Sequence, residues 1–163
     1  MDDVDPGVNT GRMKVTVRPT TAQDPVLDEI GDLFNDYRAH YGHPGLSEIT
    51  HRWLREQLAE RRLQLVVAMV GDRAGGFITT TVVPASLTLR TFWLIRDLYV
   101  APEHRRNGVA RALLQHVIEA ARASGAHRLS LQTETGNAVA LQLYASAGFQ
   151  PVAGLQLLNL KLT

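Results

Sequence analysis

A strand of apolar residues runs into an arginine-rich turn that contains one glycine, and a long amphipathic helix follows at once. The stretch covers residues 98–110 and reads LYVAPEHRRNGVA. The first N–H groups of such a helix have no intrahelical acceptor, and the helix dipole adds partial positive charge there. The sequence therefore predicts a turn that binds phosphate or pyrophosphate, and with it a phosphorylated cofactor.

The residues after the glycine narrow the choice of cofactor. A nucleotide-hydrolysing P-loop needs Lys and Ser or Thr after its second glycine, whereas Gly108 is followed by Val109, Ala110 and Arg111. The dinucleotide fingerprint needs three glycines after the first strand of the fold. This turn has one glycine and lies two-thirds of the way along the chain. Metal-assisted ATP chemistry and nicotinamide or flavin binding are therefore disfavoured.

The turn resembles the pyrophosphate motif [QR]-x-x-G-x-[GA] of the GNAT-type N-acetyltransferases. Residues 105–110 match it, with Ala110 in place of the commoner second glycine. The resemblance continues through residues 97–102 before the turn and 143–149 near the end, and it is strong over 92–150. It implies a mixed α/β (α+β) fold with a mostly antiparallel central sheet, whose fourth and fifth strands splay apart after a bulge.

Periodicity and turn residues predict the order β-α-α-β-β-β-α-β-α-β-β, which is the order of that family. The predicted strands cover 14–18, 63–70, 77–81, 91–100, 127–133, 149–152 and 156–162, and the predicted helices cover 25–37, 47–58, 109–124 and 137–147. Ser47 is expected to cap the second helix. A long loop over 71–76 is expected inside a hairpin, and Pro84 is expected at a bulge or a sheet edge.

Length and composition predict one domain over residues 13–163, preceded by a flexible extension over residues 1–12. The 17 basic and 16 acidic residues are intermixed, which disfavours nucleic acid and anionic membranes as partners. The chain has no cysteine, so an acyl-cysteine intermediate is excluded. No apolar run long enough for a membrane span and no signal peptide is evident, so a cytoplasmic location is expected. Pairing of the late strands between subunits would give a homodimer.

The resemblance implies acetyl-CoA as the acyl donor and assigns a set of cofactor-binding residues. These are Leu98, Tyr99, Val100, Arg105, Arg106, Asn107, Gly108, Val109, Ala110 and Asn137. Backbone groups of the strand would hold the pantetheine arm, and the turn would hold the pyrophosphate, with His104 or Arg111 near the 3′-phosphate. Asn137 is equally suited to be the N-cap of its helix. No metal is expected, because the histidines lack ligand spacing.

Catalytic residues are less well defined by the sequence. The resemblance makes Tyr144 the general acid that protonates the leaving thiolate, with core packing as the alternative. At the positions where relatives carry a base, this chain has Arg96 and Gln132. Asp97 and Glu134 are the nearest carboxylates, and deprotonation through ordered water is a further alternative. Strand alternation places Asp97 on the face opposite Arg96, where a structural hydrogen bond is at least as well supported.

The resemblance implies transfer of an acetyl group to a primary amine by direct attack. The acceptor pocket is expected from the first two helices and the loop after Pro84. Its candidate lining residues are Tyr37, Tyr41, His43, Trp53 and Trp93. Polyamine, amino acid, antibiotic, protein N-terminus and protein lysine all remain open as acceptors. A non-catalytic acyl-CoA sensor on the same fold, or transfer of succinyl or another acyl group, is the alternative function.

Overall fold

The computed structural model describes residues 14–162, which contain four α-helices and a five-stranded sheet. The strands are β1 (Val15–Thr20), β2 (Gln64–Val70), β3 (Arg73–Ala85), β4 (Arg90–Val100) and β5 (Leu129–Ser130), and the helices are α1 (Leu27–His40), α2 (Ser47–Ala59), α3 (Val109–Ala123) and α4 (Ala138–Ser146). The predicted extension, residues 1–12, lies outside the described range. No helix within that range has the length and apolar character to cross a membrane.

The chain divides into two compact units, one ending at Gln132 and the other beginning at Thr133. The first unit holds the whole sheet together with α1, α2 and α3, and the second unit holds α4. The assignment of residues 13–163 to a single domain stays a prediction.

The sheet has the strand order β1-β2-β3-β4-β5, in which the first three neighbouring pairs are antiparallel and β4 pairs with β5 in parallel. This confirms the predicted mixed, mostly antiparallel sheet. The β4–β5 ladder consists of Trp93↔Leu129 and Leu94↔Ser130, although β4 continues to Val100. The pairing of β4 with β5 therefore ends before the bulge, and because β5 itself ends at Ser130, the splaying of the two strands beyond that point stays a prediction.

Helices cover both faces of the sheet. Apolar side chains at helical spacing on α1, among them Leu27, Ile30 and Phe34, pack with Leu65 of β2 and Phe77 of β3 in one buried cluster. Alternation turns the neighbouring β2 side chains to the opposite face, and those are buried as well. On that face lies α3, the remaining helix of the first unit, which packs against β1 to β4.

The predicted cap of α2 was wrong. Ser47 is the first helical residue, the N-cap position is Leu46, and no side chain caps it. The backbone N–H of Leu46 instead donates to Asn35 Oδ1 of α1 at 3.3 Å. A side chain of α1 thus holds the residue that precedes α2, while the first turn of α2 has no side-chain cap.

The β2–β3 hairpin is tighter than predicted. Val70 pairs with Arg73, so the turn consists of Gly71 and Asp72, and residues 73–76 belong to β3 rather than to a loop. A Cβ on Gly76 would lie 2.7 Å from the backbone oxygen of Tyr99 on β4. The glycine here permits a close approach of two strands. From composition alone, a segment so rich in glycine resembles a loop.

The predicted edge at Pro84 is confirmed, because the β2–β3 ladder ends at Gln64↔Thr80 and the rest of β3 pairs with β4 alone. The late strand predictions fail. β5 has two residues instead of seven, and neither 149–152 nor 156–162 forms a strand. The side chains of Leu155, Leu157, Leu158, Leu160 and Leu162 are exposed. Apolar content shows that a segment can pair as a strand, but a strand also needs a partner backbone.

Candidate active site

Within the described part of the first unit, the edge of β4 that faces away from β3 has no strand partner beyond Leu94, although the oxygen of Val100 accepts a hydrogen bond from Arg105 Nε. The N–H of Ala101 donates to the oxygen of Gly75 at 3.0 Å, which fixes the phase of the antiparallel ladder. Because bonded and non-bonded pairs alternate, Leu98 and Val100 direct their N–H and C=O groups away from β3. Within the unit that ends at Gln132, the β4–β5 ladder stops at Leu94, so no strand pairs with this part of the edge.

A bulge interrupts β4 immediately before this edge. Asp97 pairs with Thr79 and Ile95 pairs with Thr80, so Arg96 is the extra residue. Strict alternation, which placed Asp97 and Arg96 on opposite faces, is therefore broken at this point. The hydroxyl of Thr79, a fully buried side chain, donates a short hydrogen bond to Asp97 Oδ2. The predicted structural hydrogen bond of Asp97 is thus confirmed, and Arg96 is exposed.

The turn before α3 has an unusual backbone. Arg106 has φ of +62° and Gly108 has φ of +79°, both in the left-handed region. No side chain caps α3, and its first backbone bond runs from the N–H of Ala112 to the oxygen of Gly108 at 2.9 Å. The N–H groups of Val109 and Ala110 therefore have no acceptor among the described residues. A Cβ on Gly108 would meet no atom within 4 Å, so this backbone borders open space. The arrangement fits a phosphate group.

Arg105 is tied back to the strand. Its Nε donates to the oxygen of Val100 at 3.0 Å, and its guanidinium carbon lies 5.8 Å from the ring centroid of Tyr99. Burial raises the pKa of the Tyr99 hydroxyl, and the negative charge of Asp36 raises it further, whereas Arg105 opposes the shift. Arg105 thus joins the end of β4 to the turn, with its remaining guanidinium N–H groups available to an anion.

The two residues suggested for a 3′-phosphate differ in their surroundings. The ring of His104 packs over Gly75, where an added Cβ would lie 3.0 Å from it, and its Nδ1 is buried without a hydrogen-bond partner among the described residues. This position suits packing better than phosphate binding. Arg111 is exposed in the first turn of α3.

In the second unit, Asn137 is the N-cap of α4, where its Oδ1 accepts the N–H of Ala140 at 3.1 Å. The predicted capping role is confirmed, and the pantetheine role stays a prediction. Tyr144 is half-buried, and its ring lies 5.8 Å edge-on to Phe149. Glu134 is exposed, and its backbone oxygen accepts the N–H of Asn137 at 3.0 Å.

A groove of about 250 Å³ opens between α1 and α2 in the first unit. Its lining residues are Phe34, Arg38, Ile49, Thr50 and Trp53. Of the aromatic residues predicted for the acceptor pocket, Trp53 lines this groove. The loop after Pro84 contributes none of the five lining residues. Trp93, which pairs with Val82 and Leu129 in the sheet, is not among the residues that line this groove, and its place in an acceptor pocket stays a prediction.

Sequence reasoning missed two polar residues near these sites. Thr79 lies in the middle of an apolar strand, where a buried hydroxyl is a signal for a polar partner. Arg38 lies near the end of α1, where a basic residue is ordinarily explained by the helix dipole. Only the packing of α1 against α2 shows that it lines a groove.

A mostly antiparallel sheet whose β4 edge leads to an uncapped helix start fits the acetyltransferase class of fold that the turn motif implies. The model of the acetyltransferase (GNAT) family matches residues 27–149, and the chain belongs to that family.

Named relatives agree with this assignment. The uncharacterized N-acetyltransferase YhfO of Bacillus subtilis is 28% identical over 125 residues, covering 77% of this chain and 84% of the relative. The ribosomal protein bS18-alanine N-acetyltransferase of Escherichia coli is 36% identical over 90 residues, 55% of this chain and 56% of that protein. The crystal structure of a probable acetyltransferase superposes with a TM-score of 0.85 at 31% identity, covering 91% of this chain and 98% of that one.

Proposed function

We propose that this protein transfers an acetyl group from acetyl-CoA to a primary amine by direct attack. The observation that carries the proposal is the edge of β4 at Leu98 and Val100, with which no described strand pairs and which leads to the uncapped amides of Val109 and Ala110. A strand edge can pair with an extended amide-containing arm, and the helix start can hold a diphosphate. The two features follow each other along the chain, as the parts of coenzyme A do.

The donor would be bound mainly by backbone. The N–H groups of residues 107–110 would hold the diphosphate, and Arg106 would add positive charge beside it. Tyr99 is buried beneath the strand, so it would support the edge without touching the donor. Asn137 would reach a pantetheine amide in addition to capping α4.

The reaction forms a bond between the amine nitrogen and the acyl carbon and breaks the bond between that carbon and sulfur. A backbone N–H of Leu98 or Val100 would stabilise the negative charge that develops on the acyl oxygen. Tyr144 would donate its hydroxyl proton to the departing sulfur. A carboxylate would remove the proton that the amine loses, directly or through water.

Asp97 is the better supported of the two carboxylates. It precedes Tyr99 by two residues on β4, and alternation puts both on the face that α1 and α2 cover. The acceptor groove lies between those helices. The hydroxyl of Thr79 orients Asp97 but leaves its second oxygen available. Glu134 remains the second candidate.

Release of free thiol from acetyl-CoA tests the proposal across a panel of amines. The panel includes a peptide with an N-terminal alanine and the antibiotic streptothricin, because relatives are named for the bS18 alanine and for streptothricin. Acetyl-CoA binding without thiol release for any amine would favour the sensor. Faster turnover with succinyl-CoA than with acetyl-CoA would show that the transferred group is succinyl rather than acetyl. The variant Gly108→Glu, which we expect to lose the donor, is the negative control.

The proposal also includes a cytoplasmic location and no nucleic-acid or membrane partner, as the sequence predicts. A homodimer is part of the prediction, and light scattering on the full chain measures it directly.

A further inference from the structure

The groove between α1 and α2 holds an arginine in a fixed position. Arg38 Nη1 donates to Thr50 Oγ1 at 3.2 Å, and that hydroxyl donates to Asn35 Oδ1 at 2.8 Å. Thr50 is buried and lines the groove with Arg38. The amide and the hydroxyl thus orient one edge of the guanidinium and leave its other N–H groups for a further acceptor.

Arg38 has no acidic partner within the described part of the chain. Arg55 pairs with Asp28 at 2.7 Å and Arg73 pairs with Glu29 at 2.8 Å, whereas no carboxylate oxygen lies within 4.0 Å of Arg38. Its side chain is half-buried, so its charge is less well hydrated than that of a surface arginine. None of the five lining residues is acidic. The groove therefore has a positive charge that an anionic group of a ligand would neutralise.

The rest of the lining is apolar and accessible. Ile49 is 51% exposed and Trp53 is 42% exposed, and both border the groove together with Phe34. Large apolar side chains exposed in a concave surface are typical of ligand sites. A volume of about 250 Å³ suits one compact apolar group.

Ring contacts connect the groove to the proposed reaction centre. Trp53 lies 6.0 Å from Phe34, Phe34 lies 5.6 Å from Tyr37, and Tyr37 lies 5.8 Å from Tyr99. Tyr99 lies between Leu98 and Val100, whose outward backbone groups pair with no described strand. A ligand in the groove therefore lies on the same face of the sheet as Asp97.

We propose that this groove selects an acceptor amine that carries a carboxylate and a compact apolar group, as a hydrophobic amino acid does. The carboxylate pairs with the free N–H groups of Arg38, and the apolar group packs against Trp53 and Ile49. Polycationic acceptors are disfavoured, because they would place positive charge beside the guanidinium. This inference rests on the proposed acetyltransferase function for its reaction, but not for its binding site.

Acetylation of matched substrates tests the selectivity. L-phenylalanine and L-phenylalaninamide differ at the carboxyl group, and spermidine represents the polycations. In Arg38→Gln, we expect the ratio of kcat/KM for the acid to that for the amide to fall roughly 10- to 100-fold, through loss of a charge-assisted hydrogen bond. Comparing this ratio between wild type and variant cancels the difference in basicity between the two amines, because that difference is the same for both proteins. Arg52→Gln, an exposed arginine on α2, should leave the ratio unchanged.

A binding measurement separates this inference from the proposed function. The chain has two tryptophans, so the indole N–H resonance of Trp53 can be assigned with Trp53→Phe, and Trp93 serves as the internal reference. We expect L-phenylalanine to shift the Trp53 resonance more strongly than L-phenylalaninamide, and this difference should vanish in Arg38→Gln. Such a result without any thiol release would support the groove while refuting the transferase. Equal shifts from both compounds, or preferential acetylation of spermidine, would overturn the inference and leave Arg38 as a residue that stabilises the end of α1.

Discussion

Replacing Gly108 by alanine separates the conformational role of this glycine from its role at the proposed phosphate site. Gly108 has φ of +79°, and a Cβ there would meet no protein atom within 4 Å, so the cost to the free protein is that of a left-handed backbone alone. That cost is about 1–2 kcal/mol. For a chain of 163 residues, the melting temperature should fall by roughly 2–8 °C.

The chain offers a matched control at the other end of the same helix. Gly125 has φ of +73° and likewise no atom within 4 Å of an added Cβ. Gly125→Ala should therefore destabilise the protein by a similar amount. We expect only Gly108→Ala to weaken the binding of coenzyme A, at least about tenfold, because its methyl group displaces a phosphate from one backbone N–H, a loss of roughly 1.5–3 kcal/mol.

Differential scanning calorimetry measures the two melting temperatures, and isothermal titration with coenzyme A measures the two affinities. Gly108→Glu, which adds a negative charge beside the diphosphate, should abolish binding. Equal affinities in the two alanine variants would refute the reasoning, since they would show that the phosphates lie elsewhere. Equal affinities together with unequal melting temperatures would also refute the claim that open space surrounds both glycines.

Tyr144→Phe should lower kcat roughly tenfold with little change in the affinity for coenzyme A. The reason is that a positioned proton donor assists the departure of a thiolate of ordinary pKa by about 1–2 kcal/mol. An unchanged kcat would remove Tyr144 from the mechanism. Asp97→Asn keeps an oxygen for the Thr79 hydroxyl, so stability should change little while kcat falls about 100-fold; an equal kcat would leave Asp97 a structural partner. The hydrogen bond from Arg18 lowers the pKa of Asp24 below its ordinary value of 3.8, so its contribution is present above that pH and disappears as pH falls through the lower, folded-state pKa. In denaturant titrations Asp24→Asn should therefore cost about 1 kcal/mol at pH 7 and progressively less as the pH falls below 3.8. A cost that is independent of pH would exclude the ion pair as its source.

Much of the first unit could be predicted from sequence because local residue patterns specify its elements. Period-2 patterns gave β4 to within one residue, and apolar spacing gave α1 and α3, with Gly125 ending the latter. The turn before α3 was equally local, since a glycine before an uncapped helix start needs no distant partner. Asn137 was recognised as a cap for the same reason.

Contacts between distant segments were decided by the tertiary structure. The bulge at Arg96 exists only in the register of β4 against β3, and it revises the face on which Asp97 was placed. No local side chain caps α2, and the N–H of Leu46 at its start donates to Asn35 of another helix. The closing strands failed because a strand requires a partner as well as a pattern.

Sequence alone therefore determined the family, the uncapped turn before α3 and the order of elements through Asn137, since each rests on the preferences of consecutive residues. Tertiary structure alone decided which backbone edge is free, which hydroxyl meets Asp97, and that Arg38 lines a groove with Trp53. These three depend on how non-adjacent segments pair, and the preferences of one segment contain no information about its neighbour in space.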